Sequence, residues 1–211
     1  CCMAVALFAG CGNNDKGTAE NDNNQGEQIE VSEEDKYGGT LRIGMAAVAN
    51  NIDPVKYTGV YENAIIENIG DTLVVYSDDL SEFLPSLATE WEVNEAGTEY
   101  TFKLREDVYF HPGKFQDGRQ ITAEDVKYSL ERSHNESALA RLAMLDHCEV
   151  IDDFTVKCVL PNPDASFLAA LTNSGNVIVP KEEVEGWGDE FGAHFVGTGP
   201  FMMKEWKTDE A

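Results

Sequence analysis

The chain has 211 residues, 42% of them hydrophobic, and it carries 39 acidic against 15 basic side chains, for a net charge of −24. This length allows one large domain or two small ones. Phosphate binding needs clustered Lys and Arg, so the charge argues strongly against nucleic acid as a partner, and also against electrostatic docking on anionic lipid. A well-solvated acidic surface is the simpler interpretation, and steering of cationic ligands is the alternative.

The stretch "CCMAVALFAGC" at the start of the chain reads as the end of a secretory leader followed by a cysteine. Residues 1–10 end in an apolar run and two small residues, as the cleavage end of a leader does, and the run is too short to span a bilayer. With no starting Met and no basic region, the leader is expected to be cut off at its front. "LFAGC" resembles the lipobox of bacterial lipoproteins, which predicts lipidation of Cys11. A buried apolar segment with an ordinary cysteine is the alternative.

The segment after this cysteine is predicted to be disordered. Residues 12–36 are almost all polar and hold eight acids against two lysines. Such a segment cannot bury enough apolar surface to offset the entropy lost on ordering. Residues 11–37 are therefore interpreted as the lipidation cysteine and a disordered acidic linker, the order expected of a tethered surface protein. Two or more acyl chains would make the anchoring stable.

The composition changes at Tyr37, and ordered structure is predicted from there. Residues 40–46, "TLRIGMA", alternate apolar and other residues and predict a strand. "NNIDPVKYTGVYEN" is predicted to be a loop in which Asp53-Pro54 marks a turn. The isoleucines that follow predict a helix that stops near Gly70, and a short strand is expected over residues 72–76.

Two hairpins flank a capped helix in the middle of the chain. In "ATEWEVNEAGTEYTFKLRED", apolar alternation on either side of residues 94–97 predicts the first hairpin. In "ITAEDVKYSL", Thr122 is the predicted N-cap, with Asp125 three positions on as in a capping box. "HCEVIDDFTVKCVL" predicts the second hairpin, which turns at Asp152-Asp153.

The turn of the second hairpin decides whether Cys148 and Cys158 can pair. A two-residue turn places Cys148 opposite Lys157, whereas a three-residue turn places the two cysteines opposite each other. A disulfide is thus allowed but not implied, and two small apolar strand residues are the alternative.

The last third of the chain predicts one helix and two strands. "DASFLAALTN" predicts a short helix with Asp164 as its N-cap, and "NVIVP" a strand that Pro180 ends. "VGTGPFMMKEW", residues 196–206, predicts a tight turn that leads into a strand. The elements together predict a mixed α/β fold rich in antiparallel hairpins, without a repeated βαβ rhythm.

Six of these pieces, in this order, resemble the peptide/nickel class of extracellular solute-binding proteins, the binding components of ABC importers. They are "GGTLRIG", "NIDP", "IGDTLVVYSDD", "PSLATEWEVNEAGTEYTFKLREDVYFH", "DGRQITAEDVKYSLERS" and "VGTGPFMMKEW". Each motif is modest alone, but their order behind a lipobox-like leader makes a specific signal. The family commonly reads "FHDG" before the helix, whereas this chain reads "FHPGKFQDG", which predicts a longer surface loop.

The resemblance implies a partial periplasmic-binding-protein-like fold of type II, in which two lobes close on a ligand. Residues 38–70 and 175–211 would form the first lobe, and residues 71–174 an inserted α+β subdomain. Because family members are far longer, the resemblance also implies that the chain is incomplete and that the second lobe is missing.

The resemblance implies capture of peptides, or a related small solute, outside the cell membrane and delivery to an ABC permease. We expect a monomer, lipid-anchored at the outer face of the cytoplasmic membrane or located in the periplasm. We expect no enzyme activity, no cofactor and no metal, since the four histidines lack metal-binding spacing and no GxSxG elbow is present. A cell-envelope hydrolase or adhesin that carries a similar lobe is the alternative.

The resemblance also points to a ligand site in the stretch after the Asp-Pro turn, "YTGVY". The predicted contacts there are Thr58, Gly59, Val60 and Tyr61. Gly59 allows close backbone approach, and Tyr61 offers a rigid amphipathic wall, so that main-chain hydrogen bonds can hold an extended peptide. Asn173 and Ser174, near the expected junction of subdomain and lobe, are the second predicted contact. An ordinary surface loop is the alternative interpretation.

Overall fold

The structure, a computed structural model, describes residues 38–207. The predicted leader, the lipidation residue Cys11 and all of the acidic linker lie outside the described residues. The chain divides into two units between Ile43 and Gly44, and each is described by itself. Of the first unit, residues 38–43 are described, and the helices and strands given below all lie in the second.

Helices and antiparallel strands alternate irregularly within residues 44–207. The helices are α1 (Val60–Ile69), α2 (Ala123–Glu136), α3 (Phe167–Leu171) and α4 (Lys181–Trp187). The strands are β1 (Val74–Tyr76), β2 (Phe83–Pro85), β3 (Ala88–Val93), β4 (Glu99–Leu104), β5 (His147–Asp152) and β6 (Thr155–Val159). One sheet has the strand order β3-β4-β6-β5, and β1 pairs with β2 in a separate hairpin. The predicted mixed α/β class is confirmed.

The first predicted hairpin is the pair β3–β4. Trp91 pairs with Phe102 across the two strands, and Phe102 is fully buried. The turn is closed by Asn94, whose Oδ1 accepts the N–H of Thr98 at 2.9 Å. Gly97 has a φ of +69°, which favours glycine at this position. Local turn chemistry and strand alternation therefore agree with the position of this hairpin.

The second hairpin, β5–β6, places the two cysteines opposite each other, but without the three-residue turn that the sequence analysis required for this. The paired residues are Cys148 with Cys158, Val150 with Val156 and Asp152 with Thr155. Ile151 is thus an extra residue in β5, a bulge that is 56% exposed. The turn itself has only two residues between paired positions, Asp153 and Phe154. The bulge, rather than a three-residue turn, aligns the cysteines.

Helix α2 begins at the predicted cap. The N–H of Thr122 donates to the Asp125 carboxylate at 2.9 Å, as a capping box requires. Arg119 donates to both oxygens of the same carboxylate at 2.7 and 2.6 Å. Val126 and Leu130 are fully buried, so one face of α2 packs against the sheet while its charged face meets solvent.

The prediction of a strand over "NVIVP" is wrong, and the start of α3 differs from the prediction. Residues 177–180 are buried, and Val177 and Pro180 have extended backbone angles, but the backbone groups of this segment bond outside a strand ladder. The N–H of Ile178 donates to the carbonyl of Asp71 at 3.0 Å, and that of Val179 to Ser129 Oγ at 2.9 Å. In α3 the N-cap is Ser166 rather than Asp164.

The predicted strands over residues 40–46 and 196–206 are also wrong, since neither segment forms a strand. In the first segment, Leu41 and Ile43 are 84% and 72% exposed. In the second, the N–H of Gly199 donates to the carbonyl of Ile69 at 2.8 Å, at the end of α1. This backbone N–H therefore bonds to a free carbonyl in the last turn of α1, and not to a neighbouring strand.

Buried hydrophobic residues within residues 44–207 form two clusters. The first lies between the sheet, α2 and α3 and draws mainly on residues 73–171. The second joins residues 52–69 to residues 177–195, with α1 and α4 among its walls. Residues 172–177 connect the part of the chain in the first cluster to the part in the second. The candidate site lies next to this connection.

Candidate ligand-binding site

The predicted contact segment lies at the N-terminus of α1. Gly59 is the N-cap, with extended backbone angles, so Val60 and Tyr61 belong to the first helical turn rather than to the predicted loop. Thr58 and Val60 are exposed, and Gly59 and Tyr61 are half-buried. The first N–H groups of an α-helix have no intrahelical acceptor, so the backbone here can donate to a group from outside.

Glu62 closes over the same turn from inside the protein. Its side chain is buried, and its Oε1 accepts the N–H of Asn50 at 2.8 Å. A Cβ placed on Gly59 would lie 2.2 Å from Oε2 of Glu62. A side chain at position 59 would therefore have to displace the Glu62 carboxylate, which is a packing reason for glycine that is independent of any ligand.

A cluster of polar side chains joins this turn to the second predicted segment. The hydroxyl of Tyr57 lies 3.0 Å from Asn63 Oδ1 and 3.2 Å from Asn173 Oδ1, and it contacts Ser174 Oγ. Ser174 Oγ donates to Asn63 Oδ1 at 2.5 Å. Tyr57 and Asn173 are 116 positions apart in the chain. The structure therefore brings the two predicted segments together, although Tyr57 and Asn63 were not among the predicted residues.

The two residues of the second segment differ in exposure. Ser174 is 1% exposed, and its hydroxyl contacts Tyr57 and Asn63 inside the cluster. Asn173 is exposed, and its Oδ1 also accepts the N–H of Gly175 at 2.9 Å. Asn173 is therefore the exposed member of this pair, whereas Ser174 is buried and bonds within the cluster.

The Asp-Pro turn that leads to this site is fixed by a buried ion pair. Arg132 on α2 donates to both carboxylate oxygens of Asp53, at 2.8 and 2.7 Å. The N–H groups of Lys56 and Tyr57 donate to the carbonyl of Asp53 at 3.0 and 3.1 Å. Burial works to lower the pKa of Arg132, but the hydrogen bonds and charge of Asp53 outweigh it, and the pKa is raised. The sequence marked Asp53 only as a turn residue, because its partner is 79 positions away.

Arg141 contacts both predicted segments, at Tyr57 and at Gly175. Its guanidinium lies 4.1 Å from the centre of the Tyr57 ring, and its Nη2 donates to the carbonyl of Tyr57 at 2.8 Å. A Cβ on Gly175 would lie 2.3 Å from Cδ of Arg141, so the side chain also packs tightly on the turn after Ser174. Nothing in the local sequence around Arg141 indicates this role.

An open cleft of about 350 Å³ lies next to the polar cluster. Its lining includes Glu67 of α1, Thr72 and Tyr76 near β1, and Thr172 and Ser174. A larger depression of about 790 Å³ lies along β4 and the start of β6, but none of the predicted contact residues lines it. The smaller cleft is therefore the one associated with the candidate site.

Two further observations concern metal ions and membranes. Within residues 38–207, no three His, Cys, Asp or Glu side chains are grouped so that they could hold a metal ion. No helix in this part of the chain is long and apolar enough to cross a membrane.

The sequence pattern of the bacterial extracellular solute-binding proteins, family 5 Middle, matches residues 82–211. The match covers more than half of the chain. The chain therefore belongs to this family, and the resemblance noted in the sequence is confirmed.

Individual relatives show the same similarity and a range of ligands. Di/tripeptide-binding protein 2 of Pseudomonas aeruginosa is 30% identical over 192 residues, which cover 81% of this chain and 36% of the relative. Heme-binding protein A of Haemophilus influenzae is 32% identical over 174 residues, 72% of this chain and 32% of the relative. The ABC transporter-associated periplasmic binding protein DppA of Helicobacter pylori, solved with the peptide STSA, is 31% identical with a TM-score of 0.68, over 77% of this chain and 36% of that one.

This chain thus spans between 32% and 36% of the length of these relatives. Each of them is named as a binding protein, and the alternative of an envelope hydrolase or adhesin is not supported.

Proposed function

We propose that this chain is part of the substrate-binding component of an ABC importer and that it takes peptides. The observation that carries the proposal is the polar cluster that precedes residues 58–61 directly. In it the Tyr57 hydroxyl bonds to Asn173 and contacts Ser174, and Ser174 lines an open cleft. Names of similar proteins support peptides as the ligand class, since one is a di/tripeptide-binding protein and another was solved with a tetrapeptide.

The proposed contacts are mostly main-chain groups. The first-turn N–H groups of Val60 and Tyr61 would donate to carbonyl oxygens of an extended peptide, and the side-chain amide of Asn173 would bind a neighbouring peptide group. In this mode of binding, main-chain hydrogen bonds supply most of the affinity, and the peptide side chains contribute little to specificity. The ring of Tyr61 would supply an apolar wall. No covalent chemistry is involved, so we propose no enzyme activity and no cofactor.

We also propose that residues 38–70 and 175–211 belong to a first lobe and residues 71–174 to an inserted subdomain. The two hydrophobic clusters support this division, because one draws mainly on residues 73–171 and the other on residues 52–69 and 177–195. A second lobe would then close over the ligand by a hinge motion.

Titration calorimetry tests the ligand class. We expect heat of binding with pooled di- and tripeptides, and none with sugars, haem or a nickel–histidine complex. Because a single lobe offers only part of the contacts, the affinity should be at least about tenfold below that of the Pseudomonas aeruginosa relative, or about 1.4 kcal/mol. Binding of haem or nickel–histidine in place of peptides would reject peptides as the ligand.

We propose that Cys11 carries acyl chains that hold the protein, as a monomer, at the outer face of the cytoplasmic membrane, where it delivers peptides to an ABC permease. In cells that express the protein behind a complete leader, radiolabelled fatty acid should enter the protein. Cys11→Ser should remove the label, whereas the neighbouring control Cys2→Ser should keep it. Unchanged labelling of Cys11→Ser would disprove the lipid anchor.

A further inference from the structure

Strands β5 and β6 hold two cysteines directly opposite each other inside the protein. Cys148 and Cys158 are paired in register, their Sγ atoms lie 3.4 Å apart, and both side chains are 0% exposed. Both are free thiols in this structure. Burial alone does not show that the cysteines bond, because any two small apolar residues could fill the same space. The backbone geometry at this pair is the evidence that favours a disulfide.

The backbone at Cys148 has the geometry that a cross-strand disulfide needs. β5 lies at the edge of the sheet, next to β6, and the N–H of Cys148 donates to Oε1 of Glu131 on α2 at 3.0 Å. This N–H therefore points away from β6. In an antiparallel pair, that orientation marks a non-hydrogen-bonded pair, with Cα atoms about 4.5 Å apart. The separation falls within the roughly 4.4–6.8 Å that disulfides span, so bond formation needs no movement of the strands.

The folded protein protects these sulfur atoms from reagents in solution. The hydrogen bond between the Cys158 thiol and Cys148, together with burial, raises the pKa of the Cys158 thiol well above its ordinary value. Thiolate is the nucleophile in disulfide exchange, and here it is scarce and inaccessible. A bond between the two residues would thus form during folding, before α2 covers β5, or when the edge strand opens.

We propose that Cys148 and Cys158 form a disulfide in the mature protein. One thiolate attacks the disulfide of an oxidant, which is a thiol–disulfide oxidoreductase or glutathione disulfide, and expels one thiol. The second cysteine attacks the mixed disulfide, the Sγ–Sγ bond forms, and the other oxidant sulfur leaves as a thiol. Two protons and two electrons pass from the cysteines to the oxidant. The inference goes beyond solute binding and relies on that proposal only for an extracytoplasmic location, where disulfides persist.

The bond would fix the register of the edge strand. The hairpin contains a bulge at Ile151, and the same two-residue turn without the bulge would place Cys148 opposite Val159. Such a slip by one residue turns every side chain of β5 to the other face of the sheet. A covalent link between Cys148 and Cys158 excludes the slipped arrangement.

Peptide mapping tests the bond, because trypsin cleaves after Lys157 and separates the two cysteines. The full chain is refolded in an oxidising glutathione buffer, free thiols are alkylated, and the digest is examined by mass spectrometry without reduction. We expect peptides 142–157 and 158–181 as one species that splits on reduction. Alkylation of both peptides would overturn the proposal, and so would linkage of either to Cys1, Cys2 or Cys11.

Thermal unfolding with and without reductant tests the effect on the fold. Reduction should lower the unfolding midpoint by roughly 5–10 °C, as expected for a short closed loop in a chain of this size. In the matched variant Cys148→Val/Cys158→Val, which keeps the other three cysteines, reduction should leave the midpoint unchanged. An equal response of the two proteins to reductant would contradict a stabilising link. Neither readout involves a solute, so both are independent of peptide binding.

Discussion

Replacing Arg132 with methionine should lower the free energy of unfolding by about 3–5 kcal/mol. The side chains of Arg132 and Asp53 are 6% and 1% exposed, and two hydrogen bonds of 2.8 and 2.7 Å join them. Methionine keeps much of the length and removes the charge, so the carboxylate of Asp53 would stay buried without its cation. The same carboxylate accepts the N–H of Val55, so the Asp-Pro turn before the candidate site should loosen as well.

Urea denaturation of four variants tests this expectation: Arg132→Met, Asp53→Asn, the two changes together, and Glu136→Gln. Glu136→Gln is the matched control, because it alters the other carboxylate bound to Arg132, a side chain that is 56% exposed, and should cost less than about 1 kcal/mol. The double variant Asp53→Asn/Arg132→Met should lose less than the two single changes together, since neither charge is left alone. A loss below about 1 kcal/mol for Arg132→Met would show that the pair does not hold the turn.

Replacing Glu183 with alanine should cost about 3 kcal/mol, because hydrogen bonds to a charged group contribute about 1.5–3 kcal/mol each and do not add fully. Glu183 is fully buried, and its carboxylate accepts the N–H groups of Phe115 and Gln116 at 2.6 and 3.1 Å. It also accepts the indole N–H of Trp187 at 3.0 Å. The loop of residues 112–116, which the sequence predicts to be longer than is common in the family, is thus held on α4 in part by this carboxylate.

Hydrogen exchange followed residue by residue gives the clearest readout of this change. In Glu183→Ala the amides of Phe115 and Gln116 should exchange much faster, while those of the sheet stay protected. Glu185→Gln is the matched control, since Glu185 lies on the same helix in an exposed pair with Lys181 at 3.6 Å and should cost less than about 0.5 kcal/mol. Unchanged exchange at Phe115 would mean that the loop holds its shape without Glu183.

The sequence predicted well those elements whose signals are local. The first hairpin follows from alternation and from Asn94 and Gly97 at its turn, and the start of α2 follows from Thr122 and Asp125. In each case the deciding contacts lie within a few positions of one another. The family pattern then identified the fold class, because its motifs occur in order along the chain.

The wrong predictions concern segments whose backbone partners are distant. Residues 177–180 look like a strand by composition, but their partners are Asp71 and the side chain of Ser129. The segment 196–206 looks like a strand as well, yet its amides bond to the end of α1. Alternation reports which side chains are apolar, and it cannot report which distant groups satisfy the backbone.

The candidate site was predicted in part for the same reason. Residues 58–61 and Asn173 could be named from the family resemblance, but the cluster that joins them could not. Tyr57 bonds to Asn173 at a separation of 116 positions, and Arg132 to Asp53 at 79. These supporting residues are visible only once the chain is folded.

A map of amide chemical shifts, recorded while the chain is titrated with a tripeptide, tests the proposed peptide site. The shifts should centre on Thr58, Gly59, Val60, Tyr61 and Asn173. Tyr61→Ala should weaken binding about tenfold, or about 1.4 kcal/mol, whereas Tyr109→Ala, at an exposed tyrosine outside the site, should not. Shifts confined to the depression along β4 and β6, or no shifts at millimolar peptide, would show that peptides do not bind at residues 58–61 and Asn173.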